Sequence, residues 1–481
     1  MPSRDVPGNC NSTIRPQREA CLNEWRSSPL LSLDFTMAAL LTRLHHISLN
    51  VSNAEKVTGD LVSKFKFSLF ATRLTDGAKQ LAVRKGAAVF IVNERPGRSG
   101  MRMNENKLHV GKHDPGEPSN CLYDVSSRHP VDTVNNVCFE VDDVERSSRD
   151  LRRLGCNFMV PPTTVHDRCG YVTYSVVKSI VGNVCHTLLD RTKYKGSFLP
   201  GFEGVGNDSR SPDADTSCPI THFDHITYVC HRKTTQQVMR WYEKLFGFQR
   251  FFIDGGEDVD EGFVINQEGI GLRLTAMEYW KCSEAGIALP STDKKEPDCK
   301  FVIAESLSKQ GRNQVDTFLE QHGAPGIQHI GLYTENIVST AGAMAHAGVQ
   351  FFSPPQAYYM QVCKRQEIEE AGHSPQMLAN HGILLDTDLN RDQWSSEKRG
   401  YLLQVFTKPI FAEDTFFLEL IERRGATGFG EGNIKALWRS VQAHMETHSD
   451  DSQGEGSPKP VQTSQVLVNP DEENKIRVLL K

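Results

Sequence analysis

Three side chains in the second half of this chain, His225, His329 and Glu419, have the types and the placement for metal chemistry. Glu419 lies inside the apolar run Phe416, Phe417, Leu418, Leu420 and Ile421, which reads as a core strand. A carboxylate is rarely buried unless it is paired or binds a metal. His225 falls in FDHITYV and His329 in GIQHIGLYT, two further strand-like stretches. Two imidazoles and one carboxylate form the facial donor set that holds non-haem Fe(II) and leaves coordination positions open. Each histidine alone is more simply a core or surface residue, since the chain carries seventeen. No local motif joins the three, so the case rests on the elements that carry them.

Those elements repeat. VNNVCFEVDDVERSSRDLRRLGCNFMVPP (134–162) aligns without a gap on IQHIGLYTENIVSTAGAMAHAGVQFFSPP (327–355), placing Gly155 on Gly348 and one Pro pair on the other. LHHISL (44–49) sets against FDHITY (223–228), and CHTLLDR (185–191) against FLELIER (417–423). Internal periodicity of this kind marks a repeated structural unit. The predicted fold is α+β, with two tandem halves, each made of paired βαβββ modules whose strands curl around a cavity. Equivalent cavity positions are His225, His329 and Glu419 in the C-terminal half, and His46, Asn136 and Thr187 in the N-terminal half. The second set is not a credible ferrous site. One metal per chain is therefore expected, with the N-terminal half metal-free.

At 481 residues the chain exceeds a single core, and the expected division follows composition. Residues 1–36, rich in Pro and Arg, read as a disordered extension. Residues 37–195 form the first half, 196–220 a Gly, Pro, Ser and Asp linker, 221–445 the second half, and 446–481 a polar disordered tail. Expected helices span Ala54–Phe65, Val144–Leu154, Thr234–Leu245 and Ile337–Ala347, the last three stopped by Gly155, Gly247 and Gly348. After Glu419 come Gly425, Gly428, Gly430 and Gly432, a turn leading into a helix from about Asn433.

Bulk properties exclude several classes. A net charge of -6 gives no electrostatic basis for nucleic-acid binding. No apolar run approaches the ~18–20 residues that span a bilayer. The twelve cysteines contain no CxxC, which argues against a zinc knuckle and for reduced thiols. Arg4, Arg15, Arg18 and Arg26 suggest a transit peptide, against which stand Asp5, Glu19, Glu24 and Asp34. Met37 is an alternative start.

The motifs DHI (224–226), GIQHI (326–330), YLLQVFTKP (401–409), FFLELIERRG (416–425) and GFGEGNIKALW (428–438) resemble the 4-hydroxyphenylpyruvate dioxygenase family of the vicinal oxygen chelate superfamily. The similarity runs over roughly residues 38 to 445. It implies two vicinal-oxygen-chelate halves and one Fe(II) held by His225, His329 and Glu419. It also implies an aromatic 2-oxo acid substrate that chelates the iron and is oxidatively decarboxylated by dioxygen. Gln328, Gln404, Phe406, Phe417, Phe429 and Asn433 match the family's pocket, the glutamines as polar contacts and the phenylalanines as walls. In animals the resemblance implies a mitochondrial setting and a role in ubiquinone head-group synthesis; a homodimer is possible.

Departures from the family bear on the product. Ring-hydroxylating members carry Phe where this chain has Ile434, and 4-hydroxymandelate synthases carry a smaller aliphatic residue there. The family's Pro-Ile-Asn-Glu-Pro stretch becomes IAESL (303–307), setting Glu305 near the usual Asn, and a phenol-binding Ser becomes Leu274. The expected reaction therefore gives 4-hydroxymandelate. Homogentisate formation is the first alternative, and a non-catalytic binding protein of the same fold the second.

Overall fold

The structure is a computed structural model, and it describes residues 39–95, 121–125, 129–205, 217–253, 257–258, 260–267, 270–279, 299–307, 311–387, 400–426, 428–430 and 432–433. The expected extension, the expected tail and Ile434 lie outside the described residues.

The first half runs β1 (Leu41–Val51), α1 (Ala54–Ser63), β2 (Ser68–Thr75), β3 (Ala78–Lys85), β4 (Ala88–Glu94), then β5 (Thr133–Val141), α2 (Val144–Arg153), β6 (Phe158–Asp167), β7 (Gly170–Lys178) and β8 (Cys185–Asp190). A two-residue β9 (Glu203–Gly204) follows, within the stretch read as linker, and pairs with β2. These strands form one sheet in the order β6-β7-β8-β5-β1-β4-β3-β2-β9.

The second half repeats the plan. It runs β10 (Ile220–Val229), α3 (Thr235–Phe246), β11 (Phe248–Phe251), β12 (Phe263–Gln267), β13 (Ile270–Tyr279) and β14 (Lys300–Ser306). A linking helix, α4 (Gln314–His322), leads to β15 (Gly326–Thr334) and α5 (Ile337–His346). Three short helices between residues 356 and 379 precede β16 (Leu384–Thr387), β17 (Tyr401–Phe406) and β18 (Phe417–Arg424). Its order is β11-β13-β14-β10-β15-β18-β17-β16, with β12 beside β13.

In every module the first strand pairs in parallel with the last: β1 with β4, β5 with β8, β10 with β14 and β15 with β18. Modules then join through their first strands, antiparallel, as β1 with β5 and β10 with β15. The expected paired modules are thus present in both halves.

Local sequence explains the helix starts. Asn53, Asp143 and Asn336 each accept a hydrogen bond from a backbone N–H in the first turn, of Lys56, Arg146 and Ser339. Short polar side chains favour this N-cap geometry. Gly247 ends α3 with φ 71, a left-handed conformation that glycine adopts without side-chain strain.

The halves share a core. Ala87 N–H donates to the Thr221 carbonyl at 2.6 Å, and Leu41 N–H to the Tyr279 hydroxyl at 2.9 Å. Phe90 meets Phe223 edge to face at 5.0 Å between ring centres. No helix among the described residues is long and apolar enough to cross a membrane.

Helix α3 lacks a cap of its own, because Thr234 makes no side-chain cap bond. Glu305 on β14 supplies it from outside: its carboxylate accepts from the N–H groups of Lys233 (3.1 Å), Thr234 (2.8 Å) and Thr235 (2.7 Å). This corrects the expectation that Glu305 stands where the family's pocket Asn does. Strand alternation turns Ala304 toward the cavity and Glu305 to the opposite face. Charge-assisted bonds to a buried carboxylate contribute about 1.5–3 kcal/mol. Glu305→Ala should therefore lower unfolding free energy by about 3 kcal/mol in a urea titration while leaving the metal ligands in place.

Candidate metal centre

Strand geometry brings the three predicted ligands together. His225 on β10, His329 on β15 and Glu419 on β18 present donor atoms within 4.8 Å of one another. His225 Nε2 lies 3.0 Å from Glu419 Oε2, and His329 Nε2 lies 3.7 Å from the same oxygen. The two imidazoles stand nearly perpendicular, at 87°, with centres 5.5 Å apart. Two soft-edged nitrogens and one carboxylate oxygen, all facing one cavity, suit a divalent transition metal with open positions.

A bulge in β10 makes this possible. The register against β15 shifts between Phe223 and His225, so Asp224 is the extra residue. Bulges re-aim side chains beside functional sites. Here Asp224 and His225 come to the same side, and Asp224 Oδ1 lies 2.9 Å from His225 Nδ1. Arg423 closes the arrangement with a bidentate pair, Nε to Oδ2 and Nη2 to Oδ1, both 2.8 Å. Burial works against ionising Asp224, but Arg423 outweighs it and holds the carboxyl well below its usual range. Burial likewise pulls His225 down, and the carboxylates of Glu419 and Asp224 overcome it, holding the imidazole at about 9. His329 is pushed well below its ordinary value by burial and by the nearby His225.

Gly331 makes room for the first ligand. A Cβ built there would sit 2.4 Å from the His225 ring. Neither Asp224, Arg423 nor Gly331 was singled out from the sequence. The signals were present: an acid beside the histidine in DHI, an arginine in LIERR, and a glycine two residues past the second histidine.

Glu419 is held from its other oxygen. Gln404 Nε2 donates to Glu419 Oε1 at 2.8 Å, and Asn433 Nδ2 donates to Gln404 Oε1 at 3.0 Å. The Tyr358 hydroxyl donates to Asn433 Oδ1 at 3.1 Å. Gln404 was expected as a substrate contact. Both ends of its amide are bound by protein, so it positions the metal ligand.

The cavity is lined by His225, Thr227, Gln328, His329, Gln404 and Glu419 on its polar part. Ile253, Leu274, Val302, Ala304, Phe406 and Phe429 line the rest. Phe406 and Phe429 are walls, as expected. Phe417 is not among the lining residues; it stacks on the His329 ring, with centres 4.6 Å apart, and fixes that imidazole. Gln328 borders the cavity, its Oε1 3.3 Å from His329 Nδ1. Leu274 stands in the wall, as the alignment implied.

The N-terminal half closes its equivalent positions with hydrogen bonds. Asn136 Nδ2 donates to Thr187 Oγ1 at 2.8 Å, and Thr187 Oγ1 donates to the Tyr123 carbonyl at 2.8 Å.

The paired modules and this donor set define a non-haem iron 2-oxo acid dioxygenase of the vicinal oxygen chelate type. The chain belongs to the 4-hydroxyphenylpyruvate dioxygenase-like family: it is 42% identical over 410 residues to the rat 4-hydroxyphenylpyruvate dioxygenase-like protein, covering 84% of this chain and 98% of the relative. A 4-hydroxyphenylpyruvate dioxygenase from Yarrowia lipolytica is 28% identical over 408 residues, covering 82% and 90% of the two chains. Among solved structures, a mutant 4-hydroxymandelate synthase from Streptomyces coelicolor superposes with a TM-score of 0.61 at 23% identity, covering 84% of this chain and 99% of its own, which shows the shared fold. No family model matches the sequence.

Groups that hydrogen-bond to metal ligands and orient them typically contribute about 10–100-fold to affinity. Asp224→Asn should weaken Fe(II) binding by about that factor. Gly331→Ala, whose methyl displaces the His225 ring, should do at least as much. Iron titration of the purified full-length variants, beside a circular dichroism check of folding, measures both.

Proposed function

We propose that this chain binds one Fe(II) through His225, His329 and Glu419 and converts 4-hydroxyphenylpyruvate and dioxygen to 4-hydroxymandelate and carbon dioxide. The observation that carries the reading is the single cavity that joins the triad to an apolar wall. Its polar part suits a 2-oxo acid head, and its apolar part suits an aromatic ring. Bound Fe(II) would chelate the 2-oxo acid and activate dioxygen. The protein's own contribution is orientation: Asp224 and Phe417 fix the two imidazoles, and Gln404 fixes the carboxylate. One oxygen atom of dioxygen ends in the shortened acid and the other in the new hydroxyl, so the equation balances without a second 2-oxo acid.

The choice of product rests on the far wall. Leu274 and Ala304 offer no hydrogen-bonding side chain to a phenol, so the ring is held there by shape. Together with Ile434 in place of the family's Phe, this supports a ring position that exposes the benzylic carbon. A role in ubiquinone head-group synthesis inside mitochondria belongs to the same proposal and rests on the resemblance. Purified enzyme given Fe(II), ascorbate and 4-hydroxyphenylpyruvate should release 4-hydroxymandelate, identified by mass spectrometry. Homogentisate as the sole product would overturn the product assignment, and failure to bind iron would favour a non-catalytic protein. Ile434→Phe should divert part of the flux to homogentisate.

Thr227 gives a second test. Its hydroxyl is buried, borders the cavity and has no hydrogen-bond partner among the described residues. Leaving such a group unpaired costs about 1–3 kcal/mol, so a bound substrate is the partner it lacks. Thr227→Val should lower kcat/KM about five- to ten-fold, given ~1 kcal/mol for one neutral hydrogen bond. Iron content should stay at the wild-type level.

A further inference from the structure

The N-terminal half contains a second cluster of metal-ligating side chains, offset from the positions equivalent to the iron triad. It is made of His45, His46 and Cys138, with one donor atom of each within 4.8 Å of the other two. We propose that these three residues bind a zinc(II) ion, distinct from the Fe(II) of the C-terminal half.

The geometry follows from the same strand device as the iron site. The register of β1 against β5 shifts between Leu44 and His46, which makes His45 the extra residue of a bulge. The corresponding shift in β10 makes Asp224 the extra residue. In both halves the bulge sets two successive side chains side by side. In the C-terminal half they are a carboxylate and an imidazole; here they are two imidazoles, their Nδ1 atoms 2.7 Å apart. Cys138 faces His46 in the register, where Gly331 faces His225. A thiol therefore occupies the space that glycine leaves open beside the iron ligand.

Two further observations point to a cation. His46 is fully buried, and its Nε2 has no hydrogen-bond partner among the described residues. Either neutral tautomer of the His45–His46 pair leaves that nitrogen unsatisfied, at a cost of about 1–3 kcal/mol. Glu140 Oε1 lies 3.7 Å from His45 Nε2 and accepts a hydrogen bond from Arg43 at 2.7 Å. Glu140 thus sets a carboxylate beside His45 as Asp224 does beside His225, at 3.7 Å rather than 2.9 Å, and carboxylates near metal-bound imidazoles orient them.

Two imidazoles and a thiolate are donors that suit zinc. Zinc binding by Cys138 releases the thiol proton to solvent. His45, at 9%, is the most exposed of the three side chains. The site runs against the expectation of a metal-free N-terminal half. That expectation considered only His46, Asn136 and Thr187, and the bulge brings in His45 and Cys138 instead.

Cobalt(II) reports the thiolate directly. Full-length protein stripped with a chelator and titrated with Co(II) alone should develop a thiolate-to-cobalt charge-transfer absorption, displaced by one equivalent of Zn(II). Cys138→Ser and His45→Gln should each abolish the band. His329→Ala, which damages only the iron triad, should keep it. Glu140→Gln should weaken zinc binding about 10–100-fold. Absence of the band from the wild type, or its persistence in Cys138→Ser or in His45→Gln, overturns the proposal. The variant His45→Gln keeps the test decisive if Cys138→Ser fails to fold.

Discussion

A carboxylate buried among core strands, Glu419, governs the C-terminal half. Asp224, Arg423 and Glu419 are all buried or nearly so around one end of β10, β15 and β18. Asp224 and Arg423 neutralise each other through two parallel hydrogen bonds, the strongest geometry available to such a pair. Glu419 has one neutral amide donor, from Gln404, and lies 3.0 Å from His225 Nε2. Desolvating a carboxylate costs several kcal/mol even after relaxation, and a single neutral hydrogen bond offsets only part of that. The rest comes from the His225 imidazole beside it, or from a divalent cation held jointly with the two imidazoles. The bulge, the glycine under His225 and the stacking of Phe417 on His329 all follow from the need to point three donors at that cation.

Much of this was legible in the sequence, because the repeat fixes topology. Once 134–162 is laid on 327–355, the pairing of modules and the equivalence of cavity positions follow. The structure has helices within two residues of the expected ends. What the repeat does not encode is the parity of a strand side chain. One residue of slippage moves a side chain to the other face, and that is why Glu305 was assigned to the pocket when Ala304 is the residue that faces it. Bulges are equally hidden. Strict alternation sends Asp224 away from His225, and only the inserted residue in the ladder turns the two to one side. Gln404 lines the cavity, and its bonds to Glu419 and Asn433 are a further role that a sequence does not show.

The two halves show how one scaffold is specialised by a few substitutions in equivalent places. His225, Asp224 and Gly331 correspond to His46, His45 and Cys138; His329 and Glu419 correspond to Asn136 and Thr187. Asn136 and Thr187 hydrogen-bond to each other, so that side of the N-terminal cavity is satisfied without an ion. Replacing Asp224 by a histidine removes the partner that Arg423 has in the C-terminal half. The equivalent Arg191 instead donates to the Gly196 carbonyl at 3.3 Å. The backbone device is retained while the chemistry it presents is changed.

The relay from Tyr358 through Asn433 and Gln404 to Glu419 adds a link between ligand and glycine turn. Gly430, with φ +71, leaves space that any side chain would take from the Gln404 amide, its built Cβ lying 2.9 Å from Oε1. Gly432 N–H donates to Asp386 Oδ2 at 2.8 Å, which ties the same turn to β16. The turn is therefore fixed at both sides by polar contacts, and its position is felt at the carboxylate that binds the metal. A segment held in this way can change the shape of the cavity by substitution without loosening the ligand. Asn433 acts on the ligand through Gln404, so the turn and the carboxylate are one hydrogen-bonded unit.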